Sequence, residues 1–145
     1  MFLLFQHRWE RNEGMCGVCG DPWDSHPRDH EFGGKFYLGA ISAVFETGRV
    51  ATFAIDIPAA NEAGSIEFKV CPQQNETVEV TQQCLDANVL EFLGGEKTYT
   101  SLAEGINKIK VRLPRGLSCD RCLLQWKYNT GVYLPFLVKT TIQIR

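Results

Sequence analysis

Short segments of the chain alternate between apolar and polar residues, which is the pattern of half-buried β-strands. Residues 81–92 differ, because they are predicted to open as a short helix or turn and to end as a strand. No segment sustains the 3.6-residue period of a helix, so the pattern predicts an all-β protein: one β-sandwich domain over residues 1–145. Turns rich in Gly or Pro separate the predicted strands, which lie at residues 36–45, 49–57, 65–71, 107–113 and 118–128.

The segment 118–128 has a clear alternation, and it predicts which side chains share a face of its strand. Residues two apart point to the same side of a sheet, so the segment divides into two sets. One set is Cys122, Leu124 and Trp126, and the other is Leu123, Gln125 and Lys127.

Residues 6–35 are too rich in Gly, Asp and Pro for regular structure, and they predict a long loop. A loop of this length needs constraints, which Cys16 and Cys19 are expected to supply. We expect Trp23 to pack under the loop, because a tryptophan side chain buries a large apolar area.

The same loop carries polar residues that resemble metal ligands only in part. His26 and His30 lie four apart, but Pro27 argues against the helix on which they would share a metal ion, so we interpret them as exposed loop residues. The acidic residues lack the spacing of a calcium loop and are expected to be solvated. They are Asp21, Asp24, Asp29 and Glu31.

Six cysteines among 145 residues suggest disulfides in an oxidising compartment, with zinc as the alternative. The separation of Cys71 and Cys84 suits a disulfide that closes a short loop. The other four form two Cys-x-x-Cys doublets, which is also the form of a split zinc site. Disulfides are favoured, because a chain that oxidises one pair would not keep four thiolates reduced nearby. A bond from Cys16 or Cys19 to Cys119 or Cys122 is plausible, and connectivity stays open.

Composition and charge exclude several classes of partner. The formal net charge is −2 and no basic run appears, which argues against nucleic acid. No apolar run approaches the roughly 18 residues that span a bilayer, so we expect no membrane partner. Asn75-Glu-Thr77 is an N-glycosylation acceptor, which favours secretion. Residues 1–5 are apolar, but they lack the basic region of a signal peptide and are shorter than its apolar region, which spans about 7–15 residues.

Several motifs, in order and with matching spacing from about residue 5 to 131, resemble the arthropod-type lytic polysaccharide monooxygenases. These enzymes form auxiliary-activity family fifteen and carry chitin-binding type-4 domains. The motifs are Phe5 to Asp24 with its Cys-Gly-Val-Cys-Gly-Asp-Pro-Trp-Asp, Gly33-Gly34-Lys35-Phe36, Phe68-Lys-Val-Cys-Pro72, Val80-Thr-Gln-Gln-Cys-Leu-Asp86, and Leu113 to Gly131 with its Cys-x-x-Cys-x-x-Gln-Trp.

The resemblance implies an immunoglobulin- or fibronectin-III-like sandwich with long disulfide-stapled loops and a flat surface that faces a polysaccharide. Family members bind one copper ion through a histidine brace, formed by an N-terminal histidine and a loop histidine. That copper activates oxygen or peroxide to oxidise the glycosidic link of chitin or cellulose.

This chain departs from the family pattern at three places. It begins after the position of the N-terminal brace histidine, and His7 lies inside the matched segment and is not that residue. The slot of the loop histidine holds Glu62 or Asn61. Residues 132–145 diverge from the family's C-terminal portion, so we expect a partial domain, truncated at both ends, with no intact copper or catalytic site.

The sequence thus predicts a secreted monomer whose own residues include no signal peptide. Its expected partner is chitin or another insoluble β-1,4-linked polysaccharide, which it would bind without turnover, unless the chain is an inactive fragment. Copper is the cofactor of the family, and we expect none bound by this chain. The alternative is a zinc-binding β-domain with four cysteine ligands that acts as an interaction module.

Overall fold

The structure is a computed structural model, and it describes residues 15–57, 64–129 and 136–145. These ranges contain seven strands and one short helix. In chain order the elements are β1 Ile41–Phe45, β2 Val50–Ile57, β3 Ser65–Pro72, α1 Gln82–Ala87, β4 Glu91–Phe92, β5 Gly105–Arg112, β6 Cys119–Asn129 and β7 Phe136–Ile144.

Each segment with the strand pattern contains a strand, and residues 81–92 form a helix followed by a strand, as predicted. The helix begins where the hydroxyl of Thr81 accepts a hydrogen bond from the backbone N–H of Cys84, which satisfies a donor of the first turn. The first strand is shorter than predicted. It begins at Ile41 rather than at residue 36, because residues 34–40 are still part of the irregular loop that precedes it.

The strands form two sheets, with orders β1-β7-β6-β3 and β2-β5-β4. β1 pairs with β7 in parallel, and the other neighbouring strands pair antiparallel. One core cluster takes buried side chains from both sheets, among them Ile55 and Ile109 from one and Phe68 and Leu124 from the other. The all-β sandwich predicted from the sequence is therefore confirmed.

A chain of aromatic rings crosses this core. The ring of Phe53 in β2 stacks on Phe68 in β3, with 5.0 Å between ring centroids. Phe45 lies 5.6 Å from Phe53, and Phe92 lies 6.1 Å from Phe68. Because these rings come from strands of both sheets, they join the two layers through specific ring contacts as well as through apolar burial.

Alternation along β6 separates its side chains as predicted. Cys122 and Leu124 are buried in the core between the sheets, and Trp126 packs against it. Leu123 is buried in a second, smaller cluster on the opposite face of the sheet. The strand is therefore covered on both faces. The second sheet covers the inner face, and the outer face is covered by other segments of the chain.

β7 lies in the interior of its sheet, between β1 and β6. It spans Phe136–Ile144, so most of residues 132–145 form a structural strand. No helix in the described ranges is long and apolar enough to cross a membrane.

Candidate functional site

The beginning of the long loop and the helix α1 cover the outer face of the four-stranded sheet. They form what we call the outer cluster, in which each buried side chain is apolar or a cysteine. Cys19 and Cys84 pack against it, partly buried. The buried members are Val18, Cys71, Val80, Leu85 and Leu123.

A buried glutamine fixes the loop to the sheet beside this cluster. Gln125 is fully buried, and its Nε2 donates to the backbone carbonyl of Val18 at 2.7 Å. Its amide also pairs with the amide of Gln82 in α1, at 3.0 and 3.1 Å. A buried amide of this kind needs its partners, so Gln125 holds the loop and the helix in one register on the sheet.

Lys69 and Asp86 form an ion pair at the rim of the same face. Lys69 Nζ donates to Asp86 Oδ1 at 2.7 Å, and only 9% of the lysine side chain is exposed. Burial raises the pKa of Asp86. Hydrogen bonds from Lys69 and Gln82 and the charges of Lys69 and Lys127 lower the pKa by a larger amount. The net pKa lies below the ordinary value of an aspartate.

Farther along the loop, a pair of buried carboxylates organises the turns. Asp21 accepts from His30 twice, from the backbone N–H at 3.0 Å and from ring Nδ1 at 2.7 Å. Glu31 accepts from the backbone N–H of Val18 at 3.1 Å and from Arg28 at 3.2 Å. Asp21 and Glu31 are 7% and 8% exposed, so the expectation that they are solvated is wrong. Their donors come from within the loop itself.

Close approach of backbone explains one glycine of the loop. A Cβ at Gly34 would lie 2.0 Å from the carbonyl oxygen of Arg28, which is backbone and cannot move aside cheaply. The loop therefore packs against itself at this point only because residue 34 lacks a side chain.

The end of the loop and the start of β1 enclose a cleft beside β7. Its volume is about 530 Å³. The ring of His30 lies 5.1 Å from the ring of Phe36, with 31° between their planes. The hydroxyl groups of two other lining residues, Ser42 and Thr140, lie 2.5 Å apart. The remaining lining residues are Cys19, Tyr37, Leu38, Gly39, Ala40 and Thr141.

The disulfides agree in part with expectation. Cys71 and Cys84 are bonded, and the bond ties β3 to α1. Cys119 and Cys122 are bonded to each other, so the expected link from either of them to Cys16 or Cys19 is wrong. The two residues between Cys119 and Cys122 fall where the pairing of β6 with β7 shifts register, which brings the sulfurs of one strand together. Because those two thiolates are consumed, a zinc site built from both Cys-x-x-Cys doublets is also excluded.

Other residues singled out in the sequence are distributed as follows. Asn61, Glu62 and His7 lie outside the described residues. Asn75 is exposed in the turn after β3, as an acceptor for a glycan must be. Trp23 does not pack under the loop as expected, because 45% of it is exposed and the guanidinium of Arg28 lies over its ring at 4.7 Å.

Among the described residues, one group of three or more potential metal ligands is compact. The ligand atoms of Cys19, Asp21 and Glu31 lie within 4.8 Å of one another. The group contains no imidazole, and both carboxylates already accept hydrogen bonds from His30, Val18 or Arg28. Two carboxylates and a thiol are a poor match to the nitrogen ligands that copper prefers.

Known proteins give two matches. The sequence model of a family described as "Lytic polysaccharide mono-oxygenase, cellulose-degrading" matches residues 5–136. Among solved structures, a lytic polysaccharide monooxygenase AA15 from Thermobia domestica in the Cu(I) state is similar, with a TM-score of 0.84 and 28% sequence identity. The match covers 97% of this chain and 82% of that one. None of the curated proteins matches the sequence.

Proposed function

The chain belongs to the lytic polysaccharide mono-oxygenase family, and from this premise we propose that it is a secreted monomer that binds insoluble β-1,4-linked polysaccharide without copper-dependent turnover. Chitin and cellulose are the two substrates to compare. The proposal separates two properties of the family, attachment to the polymer and oxidation of it, and assigns only the first to this chain.

The composition of the metal-ligand group supports the second half of this proposal, which is the absence of copper-dependent turnover. The one compact group in the described part of the chain holds Cys19, Asp21 and Glu31 and no histidine. The motif resemblance assigns Glu62 or Asn61 to the slot of the family's loop histidine, and no histidine follows His30 in the sequence. A carboxylate is a harder ligand than imidazole and changes the redox character of a copper site, so the residues present do not fit the brace.

Exposed rings in the long loop support the first half of the proposal. Trp23, Phe32 and Phe36 are each between 44% and 53% exposed. Exposed apolar side chains supply surface that a partner can cover when several of them form a patch. The apolar faces of sugar rings pack on aromatic rings, so these side chains suit a polysaccharide.

Two measurements on one preparation test the proposal. The protein is purified without a polyhistidine tag, which itself binds copper, and is mixed with insoluble chitin and with microcrystalline cellulose. We expect depletion of the protein from the supernatant, with no oxidised oligosaccharides released after a reductant and Cu(II) are added. Calorimetric titration with Cu(II) should show no site of nanomolar affinity.

A Glu62→His variant supplies the matched control. If position 62 is the slot of the loop histidine, this variant restores one imidazole and should bind Cu(II) at least about tenfold more tightly than the wild type. Nanomolar copper binding by the wild type, with reductant-dependent release of oxidised oligosaccharides, would show instead that the chain is an active enzyme.

A further inference from the structure

We propose that the cleft beside β7 is a binding site for a neutral saccharide of one or two sugar units. The inference rests on the proposed function, because it names a place at which a polysaccharide chain end or a soluble oligosaccharide would be held. The cleft is lined by the end of the long loop, the start of β1 and the middle of β7.

The chemistry of the lining suits a sugar. The rings of His30 and Phe36 form one wall, and 53% of Phe36 is exposed. Ser42 and Thr140, whose hydroxyl groups contact each other, also line the cleft. A sugar ring has apolar C–H faces and a rim of hydroxyl groups, so it needs an aromatic wall and a few polar partners. A volume of about 530 Å³ falls in the range of sites for small ligands.

The charge of the lining points to a neutral ligand. Among the ten lining residues that the structure describes, none is Asp, Glu, Lys or Arg, although these types make up 22% of the chain. The carboxylate of Asp21 is already bonded to Nδ1 of His30, one of the lining residues. Lys35 lies beside this lining, with its Nζ 4.6 Å from the ring centroid of Phe36. An ammonium group at that place can donate hydrogen bonds to the hydroxyl groups of a ligand. An uncharged, hydroxyl-rich ligand matches this surface better than an anionic or cationic one.

The imidazole of His30 is oriented for such a ligand. A carboxylate oxygen accepts hydrogen bonds, so Nδ1 of His30 donates to Asp21 Oδ1 at 2.7 Å. The ring nitrogen Nε2 is then left to interact outside this pair, and 53% of the side chain is exposed. Because Asp21 is itself buried and fixed, the ring is positioned before any ligand arrives, which reduces the entropy lost on binding.

Two other lining residues, Tyr37 and Gly39, are also held in place by contacts within the chain. Tyr37 donates its hydroxyl hydrogen to the carbonyl of Glu76 at 3.3 Å, and its ring meets Phe32 edge to face at 5.7 Å. Gly39 has a φ of +65°, and a Cβ there would lie 3.1 Å from a carboxylate oxygen of Glu76. The chain thus turns toward β1 at a position that glycine alone adopts without strain.

The cleft lies away from the start of β3 along the four-stranded sheet. Thr140 pairs with Leu124 of β6, whereas Ser65, which begins β3 after the segment of Glu62, pairs with Asn129. Leu124 and Asn129 are five residues apart along β6, which corresponds to about 17 Å. Substitutions in the cleft therefore probe saccharide binding without touching position 62.

The test is a titration of the full chain, labelled with nitrogen-15, with chitotriose and with cellotriose, followed by amide chemical shifts. We expect the largest shifts at residues 30, 36–42, 140 and 141. Phe36→Ala should weaken binding at least about tenfold, and Thr140→Val, which keeps the shape and removes the hydroxyl, should weaken it several-fold. Ile106→Ala is the matched control, since Ile106 is 72% exposed on the other sheet, and its affinity should equal that of the wild type.

The outcomes separate this inference from the proposed function. Retention on insoluble polysaccharide with no shifts at the cleft would overturn the inference and leave the function standing. Shifts at the cleft without retention would support the inference and overturn the function. Shifts in the same residues that depend on protein concentration and not on sugar would assign the cleft to a second copy of the chain, and would also overturn the inference.

Discussion

At the scale of single residues, hydrogen-bond donors decide whether an acidic side chain is buried. Asp21 and Glu31 are buried because backbone N–H groups and the side chains of His30 and Arg28 converge on them. Asp86 in α1 has a similar partner in Lys69, but its side chain remains 54% exposed. A buried carboxylate is tolerated only with such partners, so these contacts explain a burial that composition would not suggest.

Asp86 gives a prediction for pH dependence. Its pKa is lower in the folded protein than the ordinary value of about 3.9, so its ionised form stabilises the folded state above that range. The stabilisation is lost as the pH falls through the lowered pKa. Asp86→Asn should therefore reduce the difference in unfolding free energy between pH 7 and about pH 2.5, measured by urea unfolding. Asp56→Asn, at an exposed position on β2, is the control and should leave that difference unchanged.

At the scale of elements, the Cys71–Cys84 disulfide joins the end of β3 to the helix that covers it. The bond closes a loop with a sequence separation of 13, and α1 has only six residues. An isolated helix of that length is not stable in water, so α1 depends on the outer cluster and on this bond for its order. The helix in turn holds Gln82 against Gln125, which fixes the loop on the sheet.

Removing this disulfide should destabilise the protein measurably. The chain-entropy model assigns about 3 kcal/mol to a bond with this loop length, and about 2 kcal/mol to the much shorter loop of Cys119 and Cys122. We expect the double variant Cys71→Ala/Cys84→Ala to lose about 3 kcal/mol of unfolding free energy in urea. Hydrogen exchange should show α1 opening first. If α1 stayed protected in that variant, packing alone would be holding the helix.

At the scale of the whole molecule, the sandwich leaves one face of the four-stranded sheet to be covered by loop and helix. The core between the sheets is closed by rings from both layers, such as Phe53 and Phe68. The outer face carries the outer cluster, and residues 15–40 supply seven of the ten described residues that line the cleft. The binding proposed here therefore depends on how residues 15–40 fold over that sheet.

The exposed turn allows a test of the N-glycosylation acceptor at Asn75. Asn75 Oδ1 accepts hydrogen bonds from the backbone N–H of Thr77 at 2.9 Å and from its hydroxyl, which keeps the acceptor motif in a turn at the surface. Expressed with an added signal peptide in eukaryotic cells, the protein should carry one N-glycan, seen as a mass decrease on glycosidase treatment. Asn75→Gln should abolish that decrease, and Thr77→Ser should keep it. An unmodified wild type in the culture medium would refute the assignment.

The sequence by itself determined the faces of β6, the family and every described strand except β7. Local alternation decides which side of a strand is apolar, and the cysteine motifs are specific enough to identify relatives. The Cys71–Cys84 pairing also followed from the sequence, since the two cysteines adjoin predicted elements at a short separation.

Tertiary structure alone decided the rest. The burial of Asp21 and Glu31 arises from contacts inside an irregular loop, and the cleft of His30, Phe36 and Thr140 arises from residues far apart in the chain. Alternation carries no information about either. The Cys119–Cys122 bond depends on an irregularity in the pairing of β6 with β7, which only the neighbouring strand imposes. Local patterns report the period of a strand, whereas contacts between distant segments depend on how the whole chain closes around its core.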